Sequence, residues 1–240
     1  MDLFWIILVV LAASLIKGIT GFGFALISLP LLLNWYPAKE LIPVLLACNL
    51  LSSTVIVLQK KEQKLVNQKF QSLIIYGGLF SLLGVLILKN ISEKSLILIL
   101  SVFFIILALI SLLNFKNRKP IKLHDIYYKI VGAVLGVLTG AVSVNGPPLA
   151  LFLNYSNVDN LEFREIFAWF SIVTAAITLT GYFFIGIFTF HSLQMVAALF
   201  PILYFGSFIG KRLNKKIPVP VFQKLTVLLT LISSIVLLLK

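Results

Sequence analysis

Lys17 stands directly before Gly18, Gly21 and Gly23 in KGITGFGFALISLPLLL, a stretch that is otherwise apolar. A second interruption, SVNGPP, sets Ser143, Asn145, Gly146, Pro147 and Pro148 inside another apolar stretch. Residues of these types suit the binding of a small anion. The ammonium supplies charge, and a helix restarting after a break points unpaired N–H groups and a positive dipole end at whatever lies before it. Glycine lets the backbone turn and lets a ligand come close. Pro147 and Pro148 suit a first helical turn, where no N–H is needed, and Ser143 and Asn145 stand where caps or ligands belong. Lys17 has a second reading, in which it snorkels to an interface or caps carbonyls at a half-helix end.

Further polar residues lie within the apolar stretches. Asn49 and Ser52, and likewise Ser171 and Thr174, are spaced by three, so each pair shares a helix face. Hydroxyls in membrane helices commonly bond their own backbone or a neighbouring helix. Asn49, larger and costlier to bury, is the strongest of these four. The candidate binding residues are therefore Lys17, Gly21, Phe22, Gly23, Asn49, Ser52, Ser143, Asn145, Gly146, Pro147, Ser171 and Thr174.

Catalytic chemistry finds little to work with. The two histidines, His124 and His191, sit near loops, and the eight acidic residues are expected in loops or at segment ends. No metal-ligand spacing and no nucleophile–base pair is visible, and no cofactor is implied. The single cysteine, Cys48, excludes an internal disulfide and reads as a small buried hydrophobe. An intramembrane enzyme is disfavoured on these grounds. A purely structural subunit would have no use for a lysine in a glycine-rich break.

The elements that carry these residues are set by composition. Of 240 residues, 60% are apolar and 12% charged. A soluble domain is about half apolar and about a quarter charged. The solvent is lipid, and the chain is a polytopic, all-α membrane protein. The net charge of +12 comes from basic residues crowded into short loops. Such crowding orients a chain in a bilayer rather than binding nucleic acid. Residues 3–13 follow Met1 and Asp2 without a basic region and are expected to stay as structure rather than be cleaved.

A helix must span about 30 Å of hydrocarbon to cross a bilayer. Apolar stretches of sufficient length cover residues 41–58, 70–88, 96–113, 166–190, 193–209 and 219–239. Two more, 3–35 and 126–155, are interrupted in the middle. A shift of 122 residues pairs Gly18 with Gly140, Glu40 with Glu162, Gly84 with Gly206 and Lys89 with Lys211. The layout reads as two tandem repeats, residues 1–114 and 126–240, joined by a basic linker at 115–125.

Charge speaks to their orientation. If each interrupted segment crosses once, basic residues divide ten against nine across the membrane. If each enters and leaves on one face, fifteen gather on one side and four (Lys39, Lys89, Lys94, Lys240) stay on the other. The second division fits the positive-inside rule, with the rich side and the linker cytoplasmic and the repeats inverted. The halves 3–16 and 24–35 are too short to cross alone, although joined they could make one long tilted helix. Gly206 and Gly210 read as a close-packing face.

KGITGFGFALISLPLLL together with GVLTGAVSVNGPPLALFL resembles the sulfite exporter TauE/SafE family, also called TSUP. Gly18, Gly21, Gly23 and Pro30 fit its first glycine signature; Gly146 and Pro148 fit its second. REIFAWFSIVTA matches the family pattern only loosely, and Ser143 and Asn145 stand where glycines are usual. Asn145 could alter which anion fits. The resemblance covers essentially the whole chain. It implies secondary transport of sulfite, sulfonates or related small organosulfur anions across a bacterial cytoplasmic membrane. It leaves an anion channel, a carboxylate permease and a homodimer open.

Overall fold

The computed structural model describes residues 2–21, 23–58, 68–112, 124–156, 158, 160–213, 231 and 235. Among them are nine helices and no strand: α1 (Asp2–Thr20), α2 (Phe24–Leu32), α3 (Ala38–Leu58), α4 (Gln68–Asn90), α5 (Glu93–Leu112), α6 (Asp125–Val142), α7 (Gly146–Tyr155), α8 (Asn160–Phe184) and α9 (Phe190–Leu213). Four described helices have the length and apolar character to cross a membrane: Gln68–Asn90, Asp125–Val142, Glu165–Phe184 and Phe190–Leu213. The protein is an all-helical, multi-pass membrane protein. The stretch 219–239 lies outside the described residues, apart from 231 and 235, and so does nearly all of the basic linker.

Both interrupted stretches break where glycine and proline require it, and the first limb of the first one runs past residue 16 to Thr20. The α1 helix has 19 residues and α6 has 18. At 18 residues, roughly 27 Å, α6 is among the helices with the length to cross, whereas the apolar part of α1, Phe4–Ile19, is shorter than those. The second limbs are short, with nine residues in α2 and ten in α7. Two other expectations change. The span expected at 166–190 is present but ends earlier, because α8 begins at Asn160 and stops at Phe184 before a turn in which Gly186 takes φ +74°. Glu165 is inside α8 and buried at 7% exposure, not at a segment end.

The 122-residue shift carries helix bounds onto helix bounds. It moves 2–20 to 124–142, 24–32 to 146–154, 38–58 to 160–180 and 68–90 to 190–212. Observed in those places are 125–142, 146–155, 160–184 and 190–213.

The chain forms two compact units, each drawing on both halves of the sequence. One comprises Met1–Cys48, Ile91–Asn114 and Phe188–Lys240; the other comprises Asn49–Asn90 and Phe115–Ile187. In the second unit, α4 buries Leu73, Gly77, Ser81, Gly84 and Leu88 at helical spacing and leaves Ile75, Leu79, Leu83 and Leu86 exposed. Its outer face is apolar and its inner face small, as a lipid-facing helix requires. On α6, Gly132, Gly136 and Gly140 recur every four residues and lie on the backbones of Leu73, Gly77 and Ser81 in turn. Both sets of numbers rise together, so α4 and α6 run parallel.

Gly77 and Gly78 face Phe170, Val173, Thr174 and Ile177, while Gly181 faces Leu82 and Val85, so α8 is parallel to them as well. An exposed Lys69–Asp125 pair at 3.4 Å sets the starts of α4 and α6 side by side. With α6 and α8 pointing the same way, the chain must come back between them, and α7 makes that return. Tyr128 near the start of α6 is 5.2 Å, centroid to centroid, from both Phe70 of α4 and Phe152 near the end of α7.

In the first unit, α1 and α9 pair in the same parallel manner through Gly18, Gly206 and Gly210. Gly206 lies on Ser14 and Leu11, and Gly210 lies on Leu15 and Gly18, the close packing expected of them. The register differs from that of α4 with α6. Gly140 faces Ser81 and Gly84, whereas its counterpart Gly18 faces Ser207 and Gly210, which correspond to residues 85 and 88. The offset is one helical turn, about 6 Å along the axis.

Candidate functional site

The first break is built by glycine. Gly21 takes φ +88° and Gly23 φ +95°, left-handed conformations that side chains with a Cβ adopt at a cost. Gly21 N–H closes α1 by donating to Lys17 O at 2.7 Å. Gly23 is the N-cap of α2, and Ile27 N–H donates to its carbonyl. The Phe24 and Ala25 N–H groups stand at the very start of α2, ahead of the regular ladder of bonds within the helix. This is a positive helix end, with Phe24 and Ala25 buried on it. Phe22, expected in the site, lies outside the described residues.

Lys17 is in the last turn of α1, and only 1% of it is exposed. A snorkelling lysine carries its ammonium to the surface; this one does not. The fully buried Cys48 of α3 lies near Lys17. It is a free cysteine, and its burial is in line with its apolar sequence context. Asn49 and Ser52, the next polar positions of α3, are buried at 8% and 2% exposure.

The second break is made differently. Ser143 ends α6 in a left-handed conformation, φ 59° and ψ 18°, the one positive-φ residue other than glycine among those described. That conformation explains why a glycine would be usual here. Ser143 N–H donates to Thr139 O at 2.9 Å, but the buried Ser143 hydroxyl has no hydrogen-bond partner. Replacing Ser143 with glycine is expected to raise the melting temperature in detergent by a few degrees, since about 1 kcal/mol of strain is relieved. A fall in melting temperature would show that the hydroxyl itself holds the break.

Asn145 does not cap α7: its Nδ2 donates to Thr139 Oγ1 at 3.2 Å, tying the break to the last turn of α6. Gly146, Pro147 and Pro148 open α7, and Leu149 N–H returns to Asn145 O at 3.0 Å. Because the two prolines have no N–H, Gly146 is the first-turn donor this helix offers. The positive end of α7 is thus poorer in donors than that of α2.

On α8, Ser171 and Thr174 are fully buried, but they differ in what they offer. Thr174 Oγ1 donates to Phe170 O at 2.6 Å, and its proton is committed to its own helix. Ser171 Oγ has no hydrogen-bond partner. The same face continues through Thr178 and Tyr182, both fully buried, at steps of four that the sequence displays but that ordinary packing would equally produce. Tyr182 OH donates to Gly140 O at 2.6 Å, so this face of α8 looks onto the end of α6.

The described residues hold no group of three or more metal-ligating side chains. The burial of Glu165 corrects the expectation that every acidic residue lies in a loop or at a segment end. The arrangement comprises a buried lysine beside a glycine-made helix start in one unit, and in the other a proline-started helix with uncommitted hydroxyls. No curated protein and no solved structure matches the chain. One family model runs through both breaks, covering residues 6–237, and by that match the protein belongs to the sulfite exporter TauE/SafE family.

Proposed function

We propose that the protein is a secondary transporter that moves small organosulfur or sulfur oxyanions, such as sulfite or sulfonates, across the bacterial cytoplasmic membrane. The observation that carries this reading is Lys17, buried at 1% exposure in the last turn before a glycine-made break, in a member of a sulfite exporter family. In this reading the ammonium and the first N–H groups of α2 hold the anion's charge. Gly21, Phe22 and Gly23 shape the first break, and Ser143, Asn145, Gly146 and Pro147 shape the second. Asn49, Ser52, Ser171 and Thr174 line the path.

The chain is proposed to be two tandem inverted repeats, 1–114 and 126–240, each a re-entrant hairpin followed by three crossings, with 115–125 cytoplasmic. The coincidence of helix bounds under the 122-residue shift and the return of α7 beside α6 support it. The one-turn difference in register between the α1–α9 pair and the α4–α6 pair supports alternating access, because it gives equivalent helices two ways to pack.

Uptake into proteoliposomes from a panel of sulfite, sulfonates and carboxylates, with and without a pH gradient, tests the proposal. Saturable sulfite or sulfonate uptake is expected; uptake of carboxylates alone would reassign the substrate. Asn145→Gly is expected to change the order of preference within the panel by about tenfold while leaving expression unchanged. Lost expression with an unchanged order would make Asn145 a packing residue.

A further inference from the structure

Tyrosines of membrane proteins collect at the two interfaces, where the ring meets lipid and the hydroxyl meets water. Tyr127 of α6 and Tyr204 of α9 are exposed, at 52% and 38%. Tyr182 is not: it is fully buried, the largest side chain so placed among the described residues. A phenylalanine would fill the same space without a polar atom to satisfy. The hydroxyl has a use here, because it donates to the Gly140 carbonyl at 2.6 Å. That carbonyl stands in the last turn of α6, where a helix end leaves oxygens without the donors that a continuing helix would supply. Inside a membrane protein such an oxygen must find its donor within the fold.

The tie falls where other constraints meet. Gly140 lies on the backbones of Ser81 and Gly84 of α4, and Gly181, next to Tyr182, faces Leu82 and Val85 of the same helix. Beyond the break, Asn145 Nδ2 donates to Thr139 Oγ1 at 3.2 Å, and Thr139 Oγ1 gives its own proton to Leu135 O at 2.7 Å. Ser143 therefore sits between two ties, one from α8 to residue 140 and one from residue 145 back to residue 139. All of these residues belong to one compact unit. Ser143 needs them, since a non-glycine residue at φ 59° persists only where its surroundings over-determine the backbone. The 122-residue shift sets Lys60 in the place of Tyr182, so the tyrosine is not a feature that both halves share.

Resting on the transport reading above, we propose that Tyr182 is a positioning residue for the anion site. By holding the Gly140 carbonyl from α8, it fixes the end of α6 and, with the Asn145–Thr139 bond, the place of Ser143 and Asn145 in the second break. It touches no substrate. Its hydroxyl acts through the backbone, and its loss lets the last turn of α6 shift and carries the break out of position.

The test uses the full-length protein in proteoliposomes, with sulfite and methanesulfonate as probes. Tyr182→Phe keeps the ring and removes the hydroxyl; Thr139→Val removes the acceptor of the Asn145 tie with little change of shape. Each is expected to raise the half-saturating concentration about tenfold while the maximal rate stays within about twofold. The double variant is expected to fall well short of the roughly hundredfold product of the two, since either loss frees the same turn. Tyr127→Phe, at an exposed position of α6, is the control and is expected to change neither quantity. Unchanged half-saturation in Tyr182→Phe, whatever its melting temperature, would overturn the assignment and leave the tyrosine a packing residue, with the transport reading intact. Factors that multiply in full would overturn it too, because the two ties would then act at separate places. If the unaltered protein takes up neither probe, the transport reading falls and this one with it. Should Tyr182→Phe not survive purification, the same comparison is made in native membrane vesicles.

Discussion

Lys17→Met is expected to reduce sulfite uptake into proteoliposomes about a hundredfold while the purified protein stays folded. Methionine matches the length of lysine and its apolar stem, so packing in the last turn of α1 is kept. What is lost is an ammonium in a site that is 1% exposed. A charge-assisted hydrogen bond to an anion in such a site contributes about 3 kcal/mol. That energy corresponds to roughly two factors of ten. Removing a buried charge does not by itself weaken the fold, since burying it cost desolvation energy in the first place. The check is initial-rate uptake beside a melting curve. Normal affinity in a well-folded variant would reduce Lys17 to a structural cation at a helix end.

The second large effect concerns architecture. Gly136→Ala is expected to destabilise the protein by about 3 kcal/mol, lowering the melting temperature in detergent by about 10 °C. A Cβ at Gly136 would occupy the space of the Gly77 carbonyl, and both partners are backbone, so neither can turn aside. Only separation of α4 from α6 relieves the contact, and that would disturb Gly132 and Gly140 as well. Gly186→Ala serves as the control. A Cβ there meets nothing within 4 Å, and φ is +74°. Alanine adopts such a left-handed conformation at a cost of only about 1 kcal/mol. A loss at Gly136 no larger than that at Gly186 would show that α4 and α6 can part at little cost.

Both breaks were legible in the sequence because glycine, proline and lysine are conspicuous at membrane depth. Their order also gave the 122-residue spacing that the helix bounds follow. The end of the first limb was misjudged: Lys17 and Gly18 look like interruptions, yet both fit inside α1, the lysine buried and the glycine lying on Ser207 and Gly210. Glu165 was misplaced for a related reason. Its burial depends on α8 starting at Asn160, within a connector that looked polar throughout. The left-handed Ser143 and the uncommitted Thr178 could not be read from residue type, because serine and threonine in such helices usually bond their own backbone. The glycines of α6 stand every fourth residue in plain view, but only the fold shows that α4 is what they meet.

Trans-stimulation of labelled sulfite flux in proteoliposomes tests the central claim most directly. If the breaks hold an anion and release it to either side in turn, uptake saturates, and unlabelled sulfite inside the vesicles accelerates it. Flux that rises linearly with sulfite and ignores the inner pool would contradict alternating access and leave an open anion pathway in its place.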